Sequence, residues 1–215
     1  SGDLLFTNGK LQIGNYNLAL GNAATVTGAT NAKFVVTNGS GKLIKAALAA
    51  TAFTYPVGNS LTTYNPVTIS NSGTSDSIGV RCLANALSQG TTGSAFSKEV
   101  VDASWDITEA LAGGSNLTVT ATWNGSDELT GFNRSNGTIG ISNYVTSPAN
   151  NVGWDLLLNQ RGSATGTDPY TISRSNITNL GAFAVGQRPV LSPLLIEPKV
   201  FLQGAYNTGT NLMNT

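Results

Sequence analysis

The acidic pair Asp127 and Glu128 sits in the stretch NLTVTATWNGSDELTGFNRSNGTIGISNYV, between Trp123 and Arg134. A tryptophan to stack on a sugar ring, with two carboxylates and a guanidinium to bond its hydroxyls, has the makings of a saccharide site. Two carboxyls are also what glycoside hydrolysis uses. That reaction needs them across a cleft, roughly 5–9.5 Å apart, with one kept protonated by an apolar setting. Adjacent residues in an open loop point apart and both stay solvated, so Asp127 and Glu128 are not expected to be catalytic. Asp102 and Asp106 are the other candidates. They lie on one face of one strand, separated by Ser104 and so by about 13 Å at ~3.3 Å per residue, too far for either geometry. Alternation sets Trp123 beside Leu117, Val119 and Ala121 and against Thr118, Thr120 and Thr122. The tryptophan therefore faces a core, and residues 124–134 are expected to form a connection, with Asp127, Glu128 and Arg134 kept as the candidate ligand loop.

Other chemistries lack their parts. The chain has no histidine and one cysteine, Cys82, so Ser-His-Asp triads, Cys-His dyads, Cys/His zinc sites and an internal disulfide are all excluded. Cys82 shares a face with Ile78 and Val80, while Arg81 projects to the other side, so it reads as a small buried hydrophobe. Calcium needs six to eight oxygens from a dense acidic cluster, which is not seen. Neither cofactor nor metal is expected. Lysine plus arginine equals aspartate plus glutamate at 11 each, which gives no net field toward nucleic acid or an anionic membrane. No apolar run of about 18 residues exists to span a bilayer. The opening SGDLLFTNGK has no basic and apolar leader, and the expectation is that any such segment has been removed or lies outside this sequence. Charged residues make up only 10% of the 215 residues, so Asn, Thr, Ser and Gly must supply solubility, as in many extracellular β proteins.

The elements that position these residues are strands. Through residues 1–50, apolar pairs such as Leu4/Phe6, Leu11/Ile13 and Leu18/Leu20 recur about every seven residues. Between them lie TNGK, GNYN, GNAA and TNGSGK, whose Asn and Gly suit tight turns. This spacing is too short for helices and predicts β-helix-like coils or a meander. Residues 42–53, KLIKAALAATAF, favour helix on propensity and strand from their surroundings. From 51 to 188 longer strands alternate, for example Val101, Ala103, Trp105 and Ile107 inward, and Val152, Trp154, Leu156 and Leu158 on one face. Seven or eight such strands predict an Ig-like antiparallel β-sandwich with Trp105, Trp123 and Trp154 as core anchors. Residues 189–215 read as a Pro-rich linker and the start of a following module. The fold class is therefore all-β, with coils leading into a sandwich.

Four segments, FTYPVG (53–58), WDITE (105–109), 123–133 and AFAVG (182–186), resemble a repeating module of very large secreted surface proteins of Bacteroidota exported by the type IX secretion system. The resemblance covers nearly the whole chain and consists of packing and turn motifs. It implies an extracellular or outer-surface, multidomain, adhesin-like protein without a reaction of its own. Its implied partners are neighbouring modules of the same longer chain, the type IX secretion machinery and surface glycans, with no nucleic acid and no membrane insertion. Residues 76–78, DSI, resemble the O-glycosylation acceptor of these bacteria and would make Ser77 the attachment point. A carbohydrate-binding module is the alternative. It would need a row of solvent-facing aromatics, for which Tyr55, Tyr64, Tyr144 and Tyr170 are the candidates.

Overall fold

Short apolar pairs between Asn- and Gly-bearing turns make short strands, and here they stack in circuits. The computed structural model describes residues 2–146, 153–156, 158–188 and 190–192. Strands β1 (Leu4–Leu5), β2 (Leu11–Gln12) and β3 (Leu18–Leu20) form one circuit, and β4 (Val26–Thr27), β5 (Val35–Val36) and β6 (Leu43–Leu48) the next. The second lies on the first in parallel, with Leu4 beside Val26, Leu11 beside Val35 and Leu18 beside Leu43. Side chains fasten circuit to circuit. The Asp3 carboxylate accepts from the Thr25 backbone N–H at 2.7 Å, the Asn15 amide oxygen from that of Ser40 at 3.0 Å, and the Asn17 oxygen from that of Lys42 at 2.9 Å. Bonds from the Thr25 backbone and hydroxyl hold the Asp3 carboxyl below its ordinary pKa. Gly41 is required at its corner, because a Cβ there would stand 2.1 Å from the Tyr16 carbonyl oxygen. The ambiguous segment resolves as strand: β6 pairs with β3 on one side and with the later strand at Asp76–Ala84 on the other. Two ladders of hydrogen bonds outweigh its helix propensity.

The chain then builds β7 (Phe53–Tyr55), β8 (Val57–Gly58), β9 (Val67–Asn71), β10 (Asp76–Ala84), the hairpin β11 (Leu87–Gln89) and β12 (Thr92–Ala95), β13 (Val100–Glu109), β14 (Leu117–Trp123), β15 (Ile139–Val145), β16 (Gly153–Trp154), β17 (Thr165–Gly166), β18 (Tyr170–Ile177) and β19 (Gly181–Gln187). A seven-stranded sheet runs β16-β15-β19-β13-β10-β6-β3 and a five-stranded sheet β17-β18-β14-β9-β7, while β8 adds a third parallel strand to β2 and β5. The two large sheets share one apolar interior. Ile78, Val80, Cys82, Ala103, Trp105 and Ile107 come from the first and Val67, Ile69, Leu117, Val119, Ala121 and Trp123 from the second. Because β3 and β6 belong to the seven-stranded sheet, the same core continues into the circuits through Leu43, Val35, Leu20 and Phe6. The outer face of the five-stranded sheet is uncharged hydroxyl, with Thr54 bonded to Thr68 at 2.8 Å, Thr120 to Ser173 at 2.7 Å and Thr118 to Ser175 at 3.0 Å. Such cross-strand pairs stabilise a sheet modestly, by roughly 0.2–1 kcal/mol each.

Around β15, β19 and the Val100 and Ser104 part of β13 the seven-stranded sheet is buried on both faces, which alternation alone did not predict, while Asp102 and Thr108 stay exposed on the outer face. Over its outer side Ala182, Ala184 and Val100 pack with Ala86, Trp154, Leu156 and Leu191 in a second apolar cluster. Ser104, expected outward to solvent, is fully buried there and donates to the Asn85 carbonyl at 2.8 Å. The segment expected as a long strand through Trp154 and Leu156 is a two-residue strand followed by a strap and a 3-10 turn at Leu158–Gln160. Asp155 stops the pairing: its carboxylate takes both terminal nitrogens of Arg174, at 2.6 and 2.7 Å, and the Asn143 N–H at 2.7 Å. Trp154 is thus buried in the outer cluster rather than between the sheets, its indole N–H donating to the Leu87 carbonyl at 3.1 Å. Val152 and the expected linker and following strand beyond Ser192 lie outside the described residues.

Candidate binding loop

Strand β14 ends at Trp123, and the chain turns through a short 3-10 segment, Gly125–Asp127. Asp127 is spent on this turn. One carboxylate oxygen accepts the Asn124 backbone N–H at 3.1 Å and the Asn65 amide nitrogen at 2.8 Å. Asn65 is itself buried, and its carbonyl accepts the Trp105 indole N–H at 2.8 Å. The loop then runs along β13, with the Leu129 N–H donating to the Val100 carbonyl and the Glu99 N–H to the Thr130 carbonyl, both at 3.0 Å.

Glu128 points back under the loop, its side chain only 7% exposed. One oxygen accepts the Trp123 indole N–H at 2.9 Å and the Arg134 Nε at 2.8 Å, and the other pairs with a terminal nitrogen of Arg134. The guanidinium lies 4.0 Å above the Tyr170 ring and also donates to its hydroxyl. The hydrogen bond to Glu128 holds the Arg134 pKa above its ordinary value. Trp123 is fully buried, edge-on to Phe132 at 6.1 Å and tilted against Tyr170 at 6.2 Å. The structure therefore brings Trp123, Glu128 and Arg134 together and ties Asp127 to the turn beside them. It does so by mutual satisfaction: the stacking face of Trp123 is covered, and the carboxylates already accept from protein donors. Asn65 and Tyr170 complete the arrangement. Neither was signalled by the local sequence, since they lie 62 residues before Asp127 and 36 after Arg134.

The remaining candidates are dispersed. Asp106 is half-buried and engaged by Lys42 at 3.0 Å and Arg81 at 2.9 Å. Partial burial, with repulsion from Asp127 second, raises the Asp102 pKa, and its side chain is exposed. Ser77 is half-buried at the start of β10. Its carbonyl accepts the Ala110 N–H at 3.1 Å, and Asp76 bridges from the Ser77 N–H to the Leu111 N–H. Cys82 is completely buried, and desolvation pushes its thiol up to about 12. The tyrosines form no row. Tyr55 is buried and donates to the Ile78 carbonyl at 3.0 Å, Tyr64 packs on Phe34, and Tyr144 packs on Trp154. A half-open cleft of about 530 Å³ lies between Val26, Ala47, Ala52 and Phe53, but its one charged group, Lys45, already donates to the carbonyls of Gly21, Asn22 and Ala24. Among the described residues, no group of three or more Cys, Asp or Glu could hold a metal ion, and no helix is long and apolar enough to cross a membrane. No protein-family model, no curated protein and no solved structure matches the chain.

Proposed function

We propose that the chain is a non-catalytic structural and adhesive module of a large extracellular or cell-surface protein. In this reading β-helix-like coils pass into an Ig-like sandwich, and neighbouring modules of the same longer chain continue it at either end. The observation that carries it is the use of the candidate loop's polar groups. Glu128, Arg134 and Asp127 bond to one another's elements, to Trp123 and to Asn65, so the loop secures the sandwich instead of presenting convergent groups to a ligand. The shared sheet and core support it further, because a stalk needs its circuits and sandwich to move as one piece. Outer-surface location, type IX export and glycosylation at Ser77 follow from the family resemblance and belong to the same reading.

The test is incubation of the purified protein with a polysaccharide panel, together with a glycan array. No release of reducing ends and no glycan bound above background is the expected result. Sugar release abolished by Asp127→Asn or Glu128→Gln would replace this reading with a glycosidase. Array binding lost in Arg134→Ala would replace it with a carbohydrate-binding module.

A further inference from the structure

The five-stranded sheet carries one kind of side chain on its solvent face. In β7, β9, β14, β17 and β18 every outward residue is threonine or serine, apart from Asn176 where β18 bulges. Register sets them in rows. Thr54, Thr68, Thr120 and Ser173 are consecutive partners from β7 through β9 and β14 to β18. Two residues along, Ser70 partners Thr118, which donates to Ser175. Two residues the other way, Thr122 partners Thr171, and Thr171 partners Thr165. The grid therefore repeats about every 4.8 Å across the strands and about every 6.8 Å along them.

These hydroxyls are fixed in place by the fold itself. Threonine is stiff at χ1, and neighbours in a row are already bonded, Thr54 to Thr68 and Thr165 to Thr171 at 2.8 Å and Thr120 to Ser173 at 2.7 Å. Each such pair uses one O–H proton and one lone pair between its members, so it still offers a donor and several acceptors outward. No charge stands on the grid. Arg174, the one charged residue in these strands, turns away to Asp155 and the Ile141 carbonyl. The seven-stranded sheet differs, keeping Lys42, Arg81 and Asp106 together on its outer face.

These properties exclude most partners. Without an aromatic face a sugar ring has nothing to stack on, without charge a nucleic acid is not attracted, and without an apolar anchor a protein interface lacks its centre. What remains is a neutral, ordered ligand made of hydrogen-bond donors and acceptors alone. We propose that this face binds the surface of ice. An ice crystal presents uncharged oxygens in a planar, two-dimensional array, each able to donate and accept, and a neutral array meets a neutral one without the cost of desolvating a charge. Sheet twist of about 20–25° between neighbouring strands confines the match to β9, β14 and β18. The inference stands apart from the module reading, because the polysaccharide and glycan tests above can come out either way without touching it.

Partition of the full chain into a slowly growing body of ice tests it, against a protein of similar size that ice excludes. Enrichment of the wild type in the ice is expected. Thr120→Lys and Ser173→Lys, which put a charge in the middle row, should fall to the level of the excluded protein, while Thr120→Ser keeps a hydroxyl and should remain enriched. Ser173 is exposed, so its variant decides the matter should Thr120→Lys fail to fold. Thr92→Lys makes the same change on the exposed β11–β12 hairpin and should stay enriched. A wild type excluded from the ice would overturn the proposal. Equal enrichment of the wild type and both grid lysine variants would overturn it as mechanical trapping, and equal loss in Thr92→Lys as an effect of net charge.

Discussion

Replacing Gly140 by alanine probes the strap that covers the seven-stranded sheet. Gly140 is buried in β15, and a Cβ there would stand 2.5 Å from Leu156 Cδ1 and 2.8 Å from the Gln160 carbonyl oxygen. The leucine methyl can swing away, but the carbonyl is backbone and moves only with the strap. Overpacking of this kind costs roughly 1–3 kcal/mol, and the entropy removed from the unfolded chain returns about 0.4–1 kcal/mol. A net loss of about 1–2 kcal/mol is expected. At about 2–4 °C per kcal/mol for a chain of this size, thermal unfolding followed by circular dichroism should move down by roughly 2–8 °C. Gly162→Ala is the matched control, because a Cβ at that glycine meets nothing within 4 Å, and it should be neutral or slightly stabilising. If Gly140→Ala melted with the wild type, Leu156 would not be seated against β15 and the covered outer face would be wrong.

Two further outcomes follow from the buried and repelled titratable groups. With its thiol pushed up to about 12 by burial, Cys82 holds about one part in ten thousand as thiolate at pH 8; it should resist a disulfide reagent in the native protein and react at once in guanidinium, and prompt native labelling would refute its burial. Asp102 carries a raised pKa, so its ionisation is opposed in the folded state and costs stability above that pKa, with no effect at pH below both folded and unfolded values. Asp102→Asn should therefore stabilise the protein against urea at pH 7 and lose that advantage at pH values well below the carboxylate range; an advantage independent of pH would refute the electrostatic cause.

How much of this was legible depended on whether the governing contacts were local. Alternation at Leu117, Val119, Ala121 and Trp123 was readable because one face of β14 is buried and the other carries Thr118, Thr120 and Thr122 to solvent. The same rule failed where both faces are covered. In β19, Ala182, Phe183, Ala184 and Val185 are all buried, and a run of small and apolar residues gives no sign of which neighbour covers it. The Trp154 and Leu156 pair keeps strand periodicity although most of it is strap, because Arg174 captures Asp155 from 19 residues away. At the loop, the inward direction of Trp123 was legible. The identity of what holds the loop was not, since Asn65 and Tyr170 are near it only in space.

The claim that this loop secures the fold is tested most directly by the stability of Glu128→Ala in wild-type and Trp123→Phe backgrounds, measured by urea unfolding. Removing the carboxylate leaves the buried indole N–H of Trp123 without its acceptor, a loss of about 1–3 kcal/mol for an unsatisfied buried donor. Phenylalanine has no such donor, so the same substitution should cost clearly less in the Trp123→Phe protein. That difference is the expected result. A Glu128→Ala protein as stable as the wild type, with equal effects in both backgrounds, would contradict it and return Glu128 to the role of a free group available to a ligand.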